Sequence, residues 1–225
     1  MKISEIFHSI QGEGMLAGVS SVFVRTSGCN LRCVWCDTPY TSWKPEGAEL
    51  PVAAIVEQVK SYPGKHTVLT GGEPMLFEES IALCAELKEM GQHITIETAG
   101  TVFRDVPCDL MSISPKLRNS TPVDDPFWAV QHEKLRLQPG VLRKLMDHSA
   151  YQLKFVVAEP GDLEEIHPLV ESLGAAAERV LLMPEGRDAA TLNRRSQWIA
   201  EACKRHGYRY SPRLHVLLWG DLRGV

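Results

Sequence analysis

The chain has 225 residues, of which 44% are apolar and 23% are charged, a size and composition typical of one soluble globular domain covering residues 1–225. Its net charge of −4 gives no electrostatic reason to expect nucleic acid or an anionic membrane as a partner. No apolar run reaches the roughly 20 residues that cross a bilayer, and the N-terminus lacks the apolar core of a signal peptide, so we expect a cytoplasmic location.

Short β-branched runs alternate with helical patterns along the chain. The runs predict strands at 22–24, 67–69, 94–96, 110–113, 153–157 and 180–182. Apolar residues at helical spacing predict helices with inner faces at Val52/Ile55/Val56/Val59, Ile81/Cys84/Ala85, Leu163/Ile166/Val170 and Leu192/Ile199/Cys203. Such alternation indicates parallel βαβ units, and about six units are too few for a closed eight-stranded barrel. We predict an α/β fold, a partial, open (βα)6-type barrel, with an extra strand at each end, near 3–7 and 214–218.

The segment 117–138 differs from the rest because it shows no clear period. It contains Asn119, Ser120 and Thr121, followed by Pro122 and Pro126. Long irregular stretches in compact domains are commonly functional lids or disordered segments. We therefore expect a loop there.

Three of the six cysteines lie within eight residues, at Cys29, Cys33 and Cys36. A tight triplet indicates metal or cluster ligation in a reducing compartment, because a disulfide scaffold would spread its pairs along the chain. A 4Fe–4S cluster normally takes four thiolates, so three would leave one iron open to another ligand. The alternative is a zinc site completed by a remote residue such as His8. Of the other cysteines, Cys84 and Cys203 lie on predicted helix core faces and Cys108 has no assignable role.

The Cys-x3-Cys-x2-Cys spacing resembles the signature of the radical S-adenosylmethionine superfamily. The resemblance implies that Cys29, Cys33 and Cys36 hold a 4Fe–4S cluster whose open iron binds the amino and carboxylate groups of S-adenosylmethionine. One electron from the cluster then cleaves a C–S bond and yields a 5′-deoxyadenosyl radical. By the same resemblance the cofactor contacts are Trp35, Cys36, Asp37, Gly72, Ser114, Pro115 and Lys116. Gly72 lies in a Gly-Gly-Glu-Pro motif after the second predicted strand, and paired glycines let backbone approach a ligand closely.

Motifs along the whole chain also resemble the 7-carboxy-7-deazaguanine synthase family. They lie at 9–14, 23–25, 36–38, 96–100, 113–116, 215–219 and 223–225. The resemblance implies contraction of 6-carboxy-5,6,7,8-tetrahydropterin to 7-carboxy-7-deazaguanine with loss of ammonia. It further implies a magnesium ion, a homodimer and a reducing electron donor such as flavodoxin.

The substrate contacts implied by this resemblance are Ile10, Gln11, Gly12, Glu13, Arg25, Thr70 and Val225. Gln11 both donates and accepts, and Glu13 accepts from the amino edge of a pterin. Arg25 can grip the substrate carboxylate through two parallel bonds. Thr38 offers magnesium a hard oxygen ligand, and Asp37 would orient the site. The resemblance also implies that the terminal carboxylate of Val225 reaches the substrate.

Two other functions compete with this interpretation. A glycyl-radical-enzyme activase has the same cysteine spacing but acts on a protein, and a zinc-stabilised binding module would have no chemistry. Among the histidines, His66, His93, His148, His167 and His206 are expected at the surface. We expect a structural role for His215.

Overall fold

The computed structural model describes residues 1–225 and gathers nine strands into one sheet. The strands are β1 (Lys2–Ile10), β2 (Ser20–Thr26), β3 (Ala48–Glu49), β4 (His66–Gly71), β5 (His93–Thr98), β6 (Leu110–Ile113), β7 (Tyr151–Val157), β8 (Val180–Pro184) and β9 (Arg209–Tyr210). The helices are α1 (Pro39–Ser42), α2 (Val52–Lys60), α3 (Glu79–Glu89), α4 (Pro126–Leu135), α5 (Pro139–His148), α6 (Leu163–Leu173), α7 (Ala189–His206) and α8 (Leu214–Trp219).

The sheet runs in the order β3-β1-β2-β4-β5-β6-β7-β8-β9 and does not close on itself. From β2 to β9 all neighbours are parallel, whereas β1 is antiparallel to both β2 and β3. This topology confirms the predicted open barrel and its extra N-terminal strand. The carboxyl ends of the parallel strands meet at one edge, which is where barrel folds carry their sites.

The main core is a cluster of 33 buried residues between the sheet and its helices. Helix α2 buries Ile55, Val56 and Val59, as its periodicity predicts. The predicted inner face of α3 was partly wrong: Ile81 and Ala85 are exposed, and the buried stripe is formed by Leu83, Cys84 and Leu87 together with Ser80. No helix is both long enough and apolar enough to span a membrane.

The predicted strand at 214–218 is wrong, because these residues form helix α8. A short apolar run fits either state, and only tertiary contacts decide between them. The short strand β9 takes the edge position of the sheet instead.

The segment 117–138 is ordered rather than a loop. It contains a 3-10 turn, Arg118–Ser120, and helix α4. The side chain of Asp125 caps α4 by accepting from the Trp128 amide at 3.0 Å, and Pro126 occupies the first helical position.

The expectation of a surface position is also wrong for His66, which is buried. Its ring is hydrogen-bonded to Ser21 Oγ at 2.6 Å and to Thr95 Oγ1 at 2.9 Å.

Candidate active site

A cavity of about 450 Å³ opens at the carboxyl edge of the sheet. Every residue predicted above to bind the cluster, S-adenosylmethionine, the substrate or magnesium lines this cavity, with the exception of Pro115. These residues come from the last residues of β1, β2 and β4, from the loops after β1, β2, β4 and β6, and from the C-terminus. The fold therefore brings together residues from both ends of the chain, from Ile10 to Val225.

The cysteine loop, residues 27–38, follows β2. The Gly28 amide donates to Thr41 O at 2.8 Å, which fixes the start of the loop against α1. Cys36 Sγ lies 3.3 Å from Ser42 Oγ and 3.8 Å from Thr38 Oγ1. Burial raises the pKa of the Cys29 and Cys33 thiols to about 12. These thiols therefore become ligands only by releasing protons as metal binds.

The donor set fits a three-cysteine iron–sulfur cluster better than a zinc ion. All three cysteines and Trp35 pack in one small apolar cluster with Leu31 and Ala99. A structural zinc site takes four protein ligands, whereas only three cysteines are present in this cluster of residues. Three thiolates on a 4Fe–4S cluster leave one iron open to another ligand. His8, the alternative fourth zinc ligand, is hydrogen-bonded through Nε2 to Ser20 Oγ at 2.8 Å. It does not line the cavity.

The Gly-Gly-Glu-Pro turn after β4 packs directly on the cysteine loop. The Glu73 amide donates to Gly28 O at 2.9 Å, and a Cβ on Gly72 would lie only 2.2 Å from the same oxygen. The buried Glu73 carboxylate accepts from Thr98 Oγ1 and the Ala99 amide, both at 2.8 Å, and thereby joins the ends of β4 and β5. Burial raises the pKa of Glu73, although these bonds oppose the shift.

Lys116 and Trp35 stand on the same side of the cavity. Lys116 Nζ donates to Ser114 O at 2.9 Å and to Ser114 Oγ at 2.7 Å, and lies 5.8 Å from the centre of the Trp35 ring. Trp35 Nε1 donates to Asn119 Oδ1 at 3.2 Å. Asn119 thus fixes the ring of Trp35, one of the predicted cofactor contacts.

A chain of alternating charges crosses the cavity floor. Lys154 donates to Glu13 and lies 3.8 Å from Glu97 Oε1. Arg213 Nε donates to Glu13 Oε1 at 3.1 Å, and Arg213 also donates to Asp37. Burial alone would raise the pKa of Glu13, but the attraction of Lys154 and Arg213 outweighs it and holds that pKa well below its usual range. Glu13 is therefore ionised at neutral pH.

A second set of polar contacts orients the N-terminal block. Gln11 Nε2 donates to Glu97 Oε1 at 3.2 Å, and Thr70 Oγ1 donates to Glu97 Oε2 at 2.8 Å. Arg25 Nε lies 2.7 Å from Glu5 Oε1, which holds the guanidinium at the cavity wall. Glu97 therefore links two of the predicted substrate contacts.

Sequence reasoning gave no role to several residues of this cavity, notably Glu97, Lys154 and Arg213, although Glu97 lies in the motif 96–100. Lys154 offered one signal, since it is a charged residue inside an otherwise apolar predicted strand. His215 was expected to be structural, and its ring packs against Gly12, where a Cβ would come within 2.0 Å of Nδ1. Burial lowers the pKa of His215.

Comparisons with known proteins agree with this geometry. The family model of the radical SAM superfamily matches residues 23–118. A 7-carboxy-7-deazaguanine synthase of Halobacterium salinarum is 47% identical over 98% of this chain and 91% of its own length. One of Rhodopirellula baltica is 45% identical over 99% and 88%. The crystal structure of QueE from Escherichia coli shares the fold, with a TM-score of 0.69 at 24% identity, covering 93% of this chain and 92% of that one.

Proposed function

Because the chain belongs to the 7-carboxy-7-deazaguanine synthase family of radical S-adenosylmethionine enzymes, we propose that it converts 6-carboxy-5,6,7,8-tetrahydropterin to 7-carboxy-7-deazaguanine with loss of ammonia. One observation carries the proposal: a single cavity is lined both by the cysteine triplet and by the polar N-terminal block. A radical generated at the cysteines would therefore be formed beside a bound pterin.

In this proposal Cys29, Cys33 and Cys36 would hold the 4Fe–4S cluster, which together with S-adenosylmethionine would supply the radical chemistry of hydrogen abstraction. Gly72 brings backbone close to the methionine part of the cofactor. Trp35, fixed by Asn119, lies beside the adenine. The cofactor is further contacted by Asp37, Ser114, Pro115 and Lys116.

The substrate is recognised by charge and hydrogen bonding. Glu13 is ionised and accepts from the amino edge of the pterin, while Gln11 both donates and accepts. Arg25 is paired with Glu5 through Nε, which leaves its two terminal nitrogens to bind the substrate carboxylate. Thr70 and Val225 complete the contacts.

Four further features belong to the same proposal. Thr38 would hold a magnesium ion through its hydroxyl oxygen, and the ion would neutralise charge on the substrate carboxylate, consistent with the preference of magnesium for oxygen ligands and few protein ligands. A reducing protein such as flavodoxin supplies the electron. The enzyme acts in the cytoplasm, as a single-domain protomer of a homodimer.

The test is anaerobic incubation of the reconstituted protein with reductant, S-adenosylmethionine, magnesium and the carboxytetrahydropterin. We expect 7-carboxy-7-deazaguanine, identified by mass spectrometry, in wild-type protein and none in Cys33→Ala. Absence of that product with an intact cluster would contradict the proposal. A glycyl radical formed on an added partner protein would instead support the activase alternative.

A further inference from the structure

The C-terminal segment closes the open side of the barrel beside the cavity. The clasp, residues 211–216, follows β9, whereas the loop 11–14 follows β1, near the other end of the sheet. The Gly14 amide donates to Ser211 Oγ and the Leu214 amide donates to Gly12 O, both at 2.8 Å. These hydrogen bonds link the two ends of the sheet beside the residues that are predicted to bind the substrate.

Arg213 is the charged centre of the clasp. Its side chain is 7% exposed, and Nη1 donates to Gly186 O at 2.6 Å, which anchors the guanidinium to the loop after β8. The remaining nitrogens donate to Glu13 and to Asp37. A guanidinium is planar and carries five N–H donors, so one side chain can donate to Gly186, Glu13 and Asp37 at once. The ammonium group of a lysine cannot reproduce that planar geometry.

The two carboxylates bound by Arg213 belong to different parts of the site. Asp37 directly follows Cys36 and lies in the loop assigned to the cluster and S-adenosylmethionine. Glu13 lies in the block assigned to the pterin. Arg213 is therefore the one side chain that is hydrogen-bonded to both blocks.

We propose that Arg213 is a positioning residue that couples the two ligand sites, so that S-adenosylmethionine and the pterin each strengthen binding of the other. The inference rests on the proposed function. Ordering of Asp37 by the first ligand fixes the guanidinium, which in turn fixes Glu13, so the second ligand meets a site that is already organised. The coupling must be reciprocal, because it is an equilibrium property.

The experiment measures binding without turnover. The cluster-reconstituted protein is kept oxidised and anaerobic, and the dissociation constant of S-adenosylmethionine is measured by calorimetry without and with saturating carboxytetrahydropterin. We expect the pterin to tighten wild-type binding by about fivefold or more, the lower end of typical couplings. In Arg213→Lys and Arg213→Gln the ratio should fall to about one, with iron content and circular dichroism retained.

The matched control is Arg179→Lys. Arg179 is half-buried and donates to Tyr151 O at 3.1 Å at the opposite edge of the sheet, so this variant should keep the wild-type ratio. A ratio of one in the wild type, or a wild-type ratio in Arg213→Lys, would overturn the inference. Failure of the wild type to bind the pterin at all would instead overturn the proposed function, and so the two failures are distinguishable.

Discussion

Replacing Gly72 with alanine introduces a methyl group where backbone already fills the space. The new Cβ would lie 2.2 Å from Gly28 O, 2.6 Å from Gly28 C and 2.9 Å from Thr41 O. All three are backbone atoms, so no side-chain rotation relieves the contact. To reach ordinary contact distance, the backbone of Gly28 and that of residue 72 must move apart by about 1 Å. Overpacking of this kind typically lowers the free energy of unfolding by about 1–3 kcal/mol. Since Gly28 precedes Cys29, a shift of the Gly28 backbone also moves the cysteine loop.

We expect Gly72→Ala to lower the free energy of unfolding by about 1–3 kcal/mol in urea and to weaken S-adenosylmethionine binding. The control is Gly140→Ala, at the second position of α5, where an added Cβ meets nothing within 4 Å. That substitution should be neutral or stabilising by up to about 1 kcal/mol, because it lowers the entropy of the unfolded chain. Equal stability and equal cofactor affinity in the two variants would refute the steric explanation.

Three further predictions address the cluster, the magnesium ion and pH. Cys33→Ala should lose the brown chromophore of the cluster. The control Cys84→Ala, which changes a buried residue of helix α3, should retain about four irons per chain by iron analysis. Loss of iron in Cys84→Ala would show that the ligand assignment is wrong. Thr38→Ala should raise the magnesium concentration needed for half-maximal activity more than it weakens S-adenosylmethionine binding, and an unchanged magnesium titration would exclude this role. Burial lowers the pKa of His66 to about 4. The unfolded state therefore binds more protons between pH 4 and about 6.5, and stability should fall as pH drops through that window. Urea denaturation of His66→Gln should show a shallower loss there, and an identical pH profile in both proteins would count against this contribution.

The barrel was predictable because its signals are local. Each buried parallel strand is a short β-branched run, and the cysteine spacing is confined to eight residues. Because the carboxyl ends of parallel strands meet at one edge, the Gly-Gly-Glu-Pro turn and Lys116 lie beside the cysteines, in agreement with the contacts that the resemblance implies.

The missed features depend on contacts between distant residues. Helix α8 is formed by a short apolar run that could form either a helix or a strand. Its contacts within the folded chain, not its local sequence, determine that it forms a helix. The ion pairs of Arg213 with Glu13 and Asp37 join residues 200 and 176 positions apart, and that of Lys154 with Glu13 spans 141. No periodicity or local motif encodes such pairs. Helix α4 was missed because Asn119, Ser120 and Pro122 resemble loop composition, whereas its first turn begins only at Pro126.

The most direct measurement of the central claim is the ratio of product formed to S-adenosylmethionine consumed under anaerobic reducing conditions. The resemblance to the 7-carboxy-7-deazaguanine synthase family also implies that S-adenosylmethionine is regenerated in each turnover. Many molecules of 7-carboxy-7-deazaguanine should then form for each S-adenosylmethionine present, with little 5′-deoxyadenosine. Consumption of S-adenosylmethionine to 5′-deoxyadenosine without any deazaguanine product would contradict the account.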